Sequence, residues 1–391
     1  MVKRWPVIWP FFPSVILAGV TMITLGPLLN QLLLDVHAPR SLGGLPSLGY
    51  FFGMCLAIVA INFALGGLSS RASLMTGAGC VMLGDFLAGA VAHRLAPLAA
   101  AFAVVGAGYG FLNIVPGLYI SSADKQNAGR NLTIVNALFA FGVVVTPPTI
   151  GRLLAADVGW RTIVLGEAVL AAALFVLFAL APAPDVPGRR NLRWREVVEV
   201  RRTNPRLWRL ILLLMMLYVG AEGVFNIWLA KFQTDRFGVD ETAAGWAVTI
   251  FWIGITAGRF SALRIMRRLT TRQIVEFFGM AMAAAVLLTA LSPNHKISLA
   301  GCLLTGFAAG PIFPLLASYT ARFPSWLSGS VYSTGYLAAC VGNMALPLLV
   351  GPAADSFGFR AAMCLAAVPA VALVLLTRPL ERAAGSSPSP T

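Results

Sequence analysis

Residues 95–119 read LAPLAAAFAVVGAGYGFLNIVPGLY, and residues 295–319 read HKISLAGCLLTGFAAGPIFPLLASY. Each is an apolar run of the length a membrane-crossing helix needs, about 20 residues. Gly106 and Gly110 of the first run fall on Gly306 and Gly310 of the second, a shift of 200 positions (306 less 106). The same shift carries Gly142, Pro147 and Gly151 onto Gly342, Pro347 and Gly351. One residue out of register, Gly159-Trp160-Arg161 falls on Gly358-Phe359-Arg360. In a chain with 38 glycines a single match carries nothing, but a set sharing one shift at equivalent runs marks an internal repeat.

Outward from these two runs the chain holds ten more. The first six spans are expected at about 9–34, 46–67, 73–92, 96–120, 132–154 and 162–182. The second six are expected at about 208–231, 243–263, 273–291, 298–320, 327–350 and 361–378. The first run follows Lys3 and Arg4 but is long and lacks a small-residue cleavage site, so it reads as a span and not as a leader. The expected fold is an all-α membrane protein with twelve transmembrane helices in two six-helix bundles. The expected division is 1–182 for the first bundle, 183–206 for a linker, 207–380 for the second bundle and 381–391 for a disordered tail. Parallel repeats of this kind belong to secondary transporters whose halves move about a midplane site.

Composition agrees. Of 391 residues 58% are hydrophobic and 11% charged, against about 25% charged in soluble domains. A soluble enzyme, a secreted disulfide module and a disordered regulator are excluded. The five cysteines sit singly in apolar runs and the three histidines in connections. No metal site and no cofactor are therefore expected. There is no Gly-x-x-x-x-Gly-Lys-Ser/Thr phosphate loop and no activated serine, which argues against ATP-driven transport and against an enzyme.

The net charge of +14 is a matter of topology. With the N-terminus inside, 21 of the 29 Lys and Arg fall in inner connections and 8 in outer ones. That bias sets orientation: a multi-pass protein of the plasma (inner) membrane with both termini cytoplasmic. Nucleic acid drops out as a partner. The linker stretch from Trp194 to Arg202 reads as a basic amphipathic helix or a charged connection.

Twelve spans in a 6+6 repeat with a polar central loop resemble the major facilitator superfamily over essentially the whole chain. Gly66-Gly67-Leu68-Ser69-Ser70-Arg71 is similar to a reduced copy of its Gly-x-x-x-Asp-Arg-x-Gly-Arg-Arg loop, with Ser70 where the family has Asp. Gly258-Arg259 through Arg267-Arg268 keeps the basic character of the second copy. The resemblance implies that Arg71 and Arg259 serve in gating loops. More narrowly, Tyr218-Val219-Gly220-Ala221-Glu222 with Trp228 resembles the fucose–galactose–glucose/proton symporter family. Asn136 through Gly142 with Pro147, and Gly310-Pro311-Ile312-Phe313-Pro314, fit the same family. Members often carry an acid in span 1 or 4; here span 4 offers Asn113, and the only acid of span 1 is Asp35 at its outer end.

Ionisable residues inside spans are costly and default to functional candidates. Glu222 leads: Tyr218, Glu222 and Asn226 share one helix face at i, i+4, i+8. A carboxyl in an apolar span with no basic neighbour suits a proton carrier. Asp85, mid-way along span 3, is the second proton-coupling candidate. Glu167 is expected to pair with Arg161 near the interface, and Glu276 with Arg272. No Lys or Arg is expected at mid-depth, which leaves anions without a counter-charge.

Candidate substrate contacts are Asn30, Gln31, Tyr109, Asn113, Asn136, Tyr218, Asn226, Trp228, Tyr332, Tyr336 and Asn343. Amides and phenols beside rings suit a neutral polyhydroxylated solute, although a membrane Asn also serves as packing glue. The expected partners are a small-molecule substrate, protons and the lipid bilayer, and the expected state is a monomer. The reading is a proton-coupled symporter of a small neutral solute, a monosaccharide first. The alternatives are a proton-driven exporter of amphipathic or cationic compounds, and a non-transporting receptor or scaffold.

Overall fold

The computed structural model describes residues 9–65, 67–123, 128–181, 185, 191–265 and 268–385. Among the described residues, twelve helices are long and apolar enough to cross a membrane. They are α1 (Phe11–Asp35), α2 (Leu45–Val59, continued by Ala60–Ala64), α3 (Ser70–Phe86, continued by Leu87–Val91) and α4 (Leu95–Ala123). Next come α5 (Ala128–Ala155), α6 (Trp160–Leu180), α7 (Pro205–Phe237), α8 (Glu241–Ile265) and α9 (Thr271–Leu291). The last are α10 (His295–Ala309, then Ile312–Ser318), α11 (Ser325–Phe357) and α12 (Phe359–Cys364, then Ala367–Gly385). The disordered tail expected from 381 is helical as far as Gly385; residues 386–391 lie outside the described residues.

Local chemistry sets the helix ends. Asn204 caps α7 by accepting from the Leu207 N–H, with Pro205 in the first turn and Gly238 in the left-handed conformation beyond the last (φ 64°). Thr270 and Gln273 form a reciprocal capping box on α9. At α3 the Ser69 hydroxyl accepts from the Ala72 N–H at 3.1 Å. The Ser70 N–H donates to Asp185 Oδ1 at 2.8 Å. Asp185, 115 residues later in the chain, thus sets a carboxylate at the N-terminus of α3. A carboxylate at a helix N-terminus satisfies orphan amides and opposes the dipole. Asp185→Ala is expected to cost about 0.5–1 kcal/mol, and to speed hydrogen exchange at the amides of Ser70 to Ala72 while leaving α6 unchanged.

The chain forms two compact units, 1–38 with 45–191 and 240–245, and 39–44 with 192–239 and 246–391. In the first unit α2 packs on α4, α3 on α4 and α6, and α1 on α5. In the second, α7 packs on α11 and α12, and α9 on α12 and on the first part of α10. The linker helix Trp194–Thr203 belongs to the second unit, where the Ser330 hydroxyl donates to its Glu196 at 2.9 Å. Segment 39–44 is held in the same unit by Arg40, whose guanidinium bonds Asp235 at 2.8 Å.

The repeated glycines are positions of close backbone approach. A Cβ on Gly106 would strike the backbone of Tyr50 on α2, and one on Gly306 the backbone of Phe251 on α8. Gly142 meets Ile16 of α1, and Gly342 meets Met216 of α7, in the same way. Gly151 and Gly351 abut the backbones of Glu241 and Arg40, each inside its own unit. Helices approach this closely in lipid where small residues face each other.

Candidate functional site

The helix break in α10 positions the chemistry of the second unit. Pro311 has no N–H to continue the ladder, and the helix stops at Ala309 and restarts at Ile312. The Tyr218 hydroxyl lies 3.0 Å from the Ala309 carbonyl and 3.0 Å from Glu222 Oε2. Tyr218 is fully buried and Glu222 is 8% exposed. Asn226, one turn further along α7, accepts from the Trp252 indole N–H of α8 at 3.0 Å. Asn343 of α11 is buried with its Oδ1 facing Gly223. Glycine at 223 makes the room: any Cβ there would collide with that amide.

A row of rings continues from Tyr218. Phe313 stands 6.3 Å from Tyr218 and 6.2 Å from Tyr336, which stacks on Tyr332 at 6.1 Å. Tyr332 is 42% exposed and Tyr336 half-buried. The structure therefore joins Tyr218, Glu222, Asn226, Tyr332, Tyr336 and Asn343, all from the sequence reading, with Trp252 and Phe313, which that reading missed. Trp252 meets its polar partner Asn226 across two helices, which spacing within α8 does not show, and Phe313 lies within the proline motif of α10.

Arg259 also differs from expectation. It stands within α8, half-buried, and not in the loop after it. Its charge acts on both Glu222 and Tyr218, and its Nε is buried with no hydrogen-bond partner among the described residues. Glu222 thus has a basic residue in its field after all. An arginine side chain is long enough to bring its head group well away from its own backbone.

Trp228 goes elsewhere. Its indole N–H donates to the Pro347 carbonyl at 2.8 Å, its ring packs edge-on against Phe359, and it is fully buried. That is packing between α7, α11 and α12. Trp228→Phe is expected to lower stability by about 1 kcal/mol through the lost hydrogen bond, seen as a fall in Tm, with transport affinity unchanged.

In the first unit, Asn113 donates to the Tyr109 hydroxyl at 3.1 Å, and that hydroxyl faces Met22 Sδ at 3.8 Å. Tyr50 and Phe139 flank Tyr109 at 5.8 and 6.5 Å between ring centres. Asn30 and Gln31 lie near the C-terminal end of α1, and Gln31 Nε2 donates to Glu241 at 3.4 Å. Asn136 is exposed on α5, and Arg71 is exposed in the first turn of α3. Asp85 is 1% exposed.

The expected Glu167–Arg161 pair does not form. Arg161 binds Asp35 at 2.8 Å and donates to the carbonyls of Ala88, Gly89 and Ala92. The wider turn at Leu87–Val91 gives it those acceptors. Glu167 instead accepts from the Thr24 hydroxyl at 2.9 Å. Glu276 does pair with Arg272, at 2.9 Å.

A family profile described as Major Facilitator Superfamily matches residues 11–325 and again 212–391. The chain belongs to the Major Facilitator Superfamily. Members are transporters and not enzymes, which agrees with the composition. A glucose/galactose transporter of Brucella abortus is 26% identical over 279 residues, covering 66% of this chain and 65% of that one. The multidrug efflux pump Tap of Mycolicibacterium fortuitum is 27% identical over 380 residues, covering 93% and 82%. Among solved structures, a D-xylose–proton symporter superposes with a TM-score of 0.77 at 13% identity, covering 95% of this chain and 97% of that one. The last likeness speaks for the fold.

Proposed function

We propose that this superfamily member is a proton-coupled symporter of a small neutral solute, a monosaccharide first, working by alternating access. The observation that carries the reading is the single hydroxyl hydrogen of Tyr218, placed before two acceptors. A tyrosine has one hydrogen to donate. When Glu222 is protonated it donates to Tyr218, Tyr218 donates to Ala309, and each of these three groups has a partner. When Glu222 is ionised it takes the hydrogen of Tyr218 and draws on the charge of Arg259. The Ala309 carbonyl, at the break of α10, then loses its donor. Proton occupancy of Glu222 is thereby tied to the backbone of another helix, the kind of differential contact that coupling requires. Asn226, Asn343 and the rings of Phe313 and Tyr336 supply the hydrogen bonds and apolar faces that a sugar uses.

The likeness to a glucose/galactose transporter supports a sugar. A second reading, an exporter of amphipathic or cationic compounds, draws on the aromatic row and on the likeness to Tap. The bias of 21 inner to 8 outer basic residues supports cytoplasmic termini, and the working state is a monomer.

The test is reconstitution in liposomes under an imposed proton gradient, with labelled sugars, organic cations and organic acids supplied in turn. Uptake of one sugar accompanied by proton influx is the expected result. Sugar uptake without proton movement removes the coupling, and cation extrusion with no sugar flux replaces this reading by the second.

A further inference from the structure

The first unit buries two carboxyls that the reading above does not use. Asp85 of α3 is 1% exposed and Glu167 of α6 is 8% exposed. They are near enough for their charges to act on each other. Asp85 Oδ2 and Glu167 Oε1 are buried and accept no hydrogen bond from the described residues. Two unneutralised carboxylates in apolar surroundings are not tolerated: like charges at one site do not both ionise.

No base answers them among the described residues packed around the pair. Arg161 of α6 is engaged with Asp35 of α1 and with three carbonyls. Arg71 is exposed at the far end of α3, and Arg152 is exposed in the last turn of α5. His93 and Arg94 lie in the connection to α4, and Asp157 in the connection to α6. Tyr109 of α4 is bonded to Asn113, and Tyr50 of α2 lies 3.4 Å from the Thr21 hydroxyl. Cys80 of α3 carries no charge to offer.

A second hydrogen count decides the ligand. The Thr24 hydroxyl of α1 has one hydrogen and two acceptors, the Val20 carbonyl at 2.8 Å and Glu167 Oε2 at 2.9 Å. A proton on Glu167 Oε2 completes the chain from Glu167 through Thr24 to Val20. Beside Glu167 lies a cavity of about 240 Å³ whose wall is mostly apolar, Val20, Val145, Leu153 and Leu170 among it, with Thr24, Thr146 and Thr149 as its other polar groups. Three threonine hydroxyl oxygens and the Glu167 carboxyl give a single water enough partners there, and such a water can hand a proton to Glu167.

We propose that Glu167, with Asp85 beside it, is a second proton-binding site, separate from Glu222, whose occupancy sets the bond between α6 and α1 at Thr24. The proton enters from water in the cavity, rests on Glu167 Oε2, and leaves by the same route. Asp85 holds the remaining negative charge. Nothing here depends on the substrate or on the role of Glu222.

Infrared difference spectroscopy of the purified full-length protein, titrated with acid in choline chloride, reads protonated carboxyls directly and needs no transport. The expected result is a protonated-carboxyl band with two components: one that Glu167→Gln abolishes and Thr24→Val shifts, because the acid loses its acceptor, and another that Glu222→Gln removes without touching the first. Monodisperse gel filtration confirms that each variant is folded. Should Glu167→Gln fail to fold, Asp85→Asn and Thr24→Val carry the test, each moving the first component. Spectra of Glu167→Gln that superpose on wild type, or a first component unmoved in Thr24→Val, overturn the site. Suppression of the band when sodium replaces choline in wild type, but not in Glu167→Gln, overturns the proton as its ligand. A failed transport assay leaves these results untouched, so the two proposals fall separately.

Discussion

Proteoliposomes carrying Glu222→Gln are expected to accumulate no sugar under an inward proton gradient, yet to exchange labelled for unlabelled sugar across the bilayer. The reason is the hydrogen count at Tyr218. A glutamine amide donates to the Tyr218 oxygen, which frees the tyrosine hydrogen for the Ala309 carbonyl, 3.0 Å away. The variant is locked in the arrangement that protonated Glu222 adopts, so the helices complete their exchange while no proton is carried. Gradient-driven uptake drops to the passive level, a loss of roughly tenfold or more, or about 1.4 kcal/mol and above. Glutamine keeps the volume of the side chain and removes a buried ionisable group, so folding is preserved. Counterflow and gradient-driven uptake, measured on one preparation, separate the two effects. Unchanged gradient-driven flux takes Glu222 out of the coupling path, and loss of both assigns it to substrate binding or packing.

The twelve spans were legible because lipid imposes a one-dimensional rule: every spanning helix must be apolar over its length. The repeat was legible because close helix approach demands glycine at fixed places, and two copies of one bundle demand it twice. The polar groups were harder. Tyr218, Glu222 and Asn226 could be read together because they share a face at helical spacing. Trp252 and Arg259 reach the same place from α8, and no spacing within one helix reveals a partner on another. The Cα of Arg259 lies near the end of α8, whereas its long side chain carries its charge to where it acts on Glu222. Proximity in sequence pairs Glu167 with Arg161, and the fold does not. The wider turn at the end of α3 gives Arg161 three carbonyls, and the sequence of α3 shows no mark of that turn. Trp228 looked like a cavity residue because indoles often are, and only the packing of α11 and α12 around it shows that its N–H is already taken.

The repeat makes its own demand on stability, and it reverses the usual sign of a glycine-to-alanine change. In the interior of a helix alanine is favoured over glycine by about 0.5–1 kcal/mol. Gly166 of α6 and Gly329 of α11 have nothing within 4 Å of the site where a Cβ would sit. Gly166→Ala and Gly329→Ala are therefore expected to raise Tm slightly. At Gly306 the same methyl would lie on the Phe251 carbonyl, 2.9 Å from its carbon and 3.0 Å from the Ile255 nitrogen. At Gly106 it would lie against the Tyr50 carbonyl carbon at 2.6 Å. These obstacles are backbone, so no rotamer change relieves them and α8 must part from α10, or α2 from α4. Gly306→Ala and Gly106→Ala are each expected to cost about 1–3 kcal/mol, and bulkier replacements more. The two should behave alike, since they fill the same position in the two copies of the bundle. Thermal unfolding in detergent, with the yield of monodisperse protein, checks all four variants. If Gly306→Ala proves as harmless as Gly166→Ala, the matched glycines are not contact positions, and the repeat loses its physical explanation.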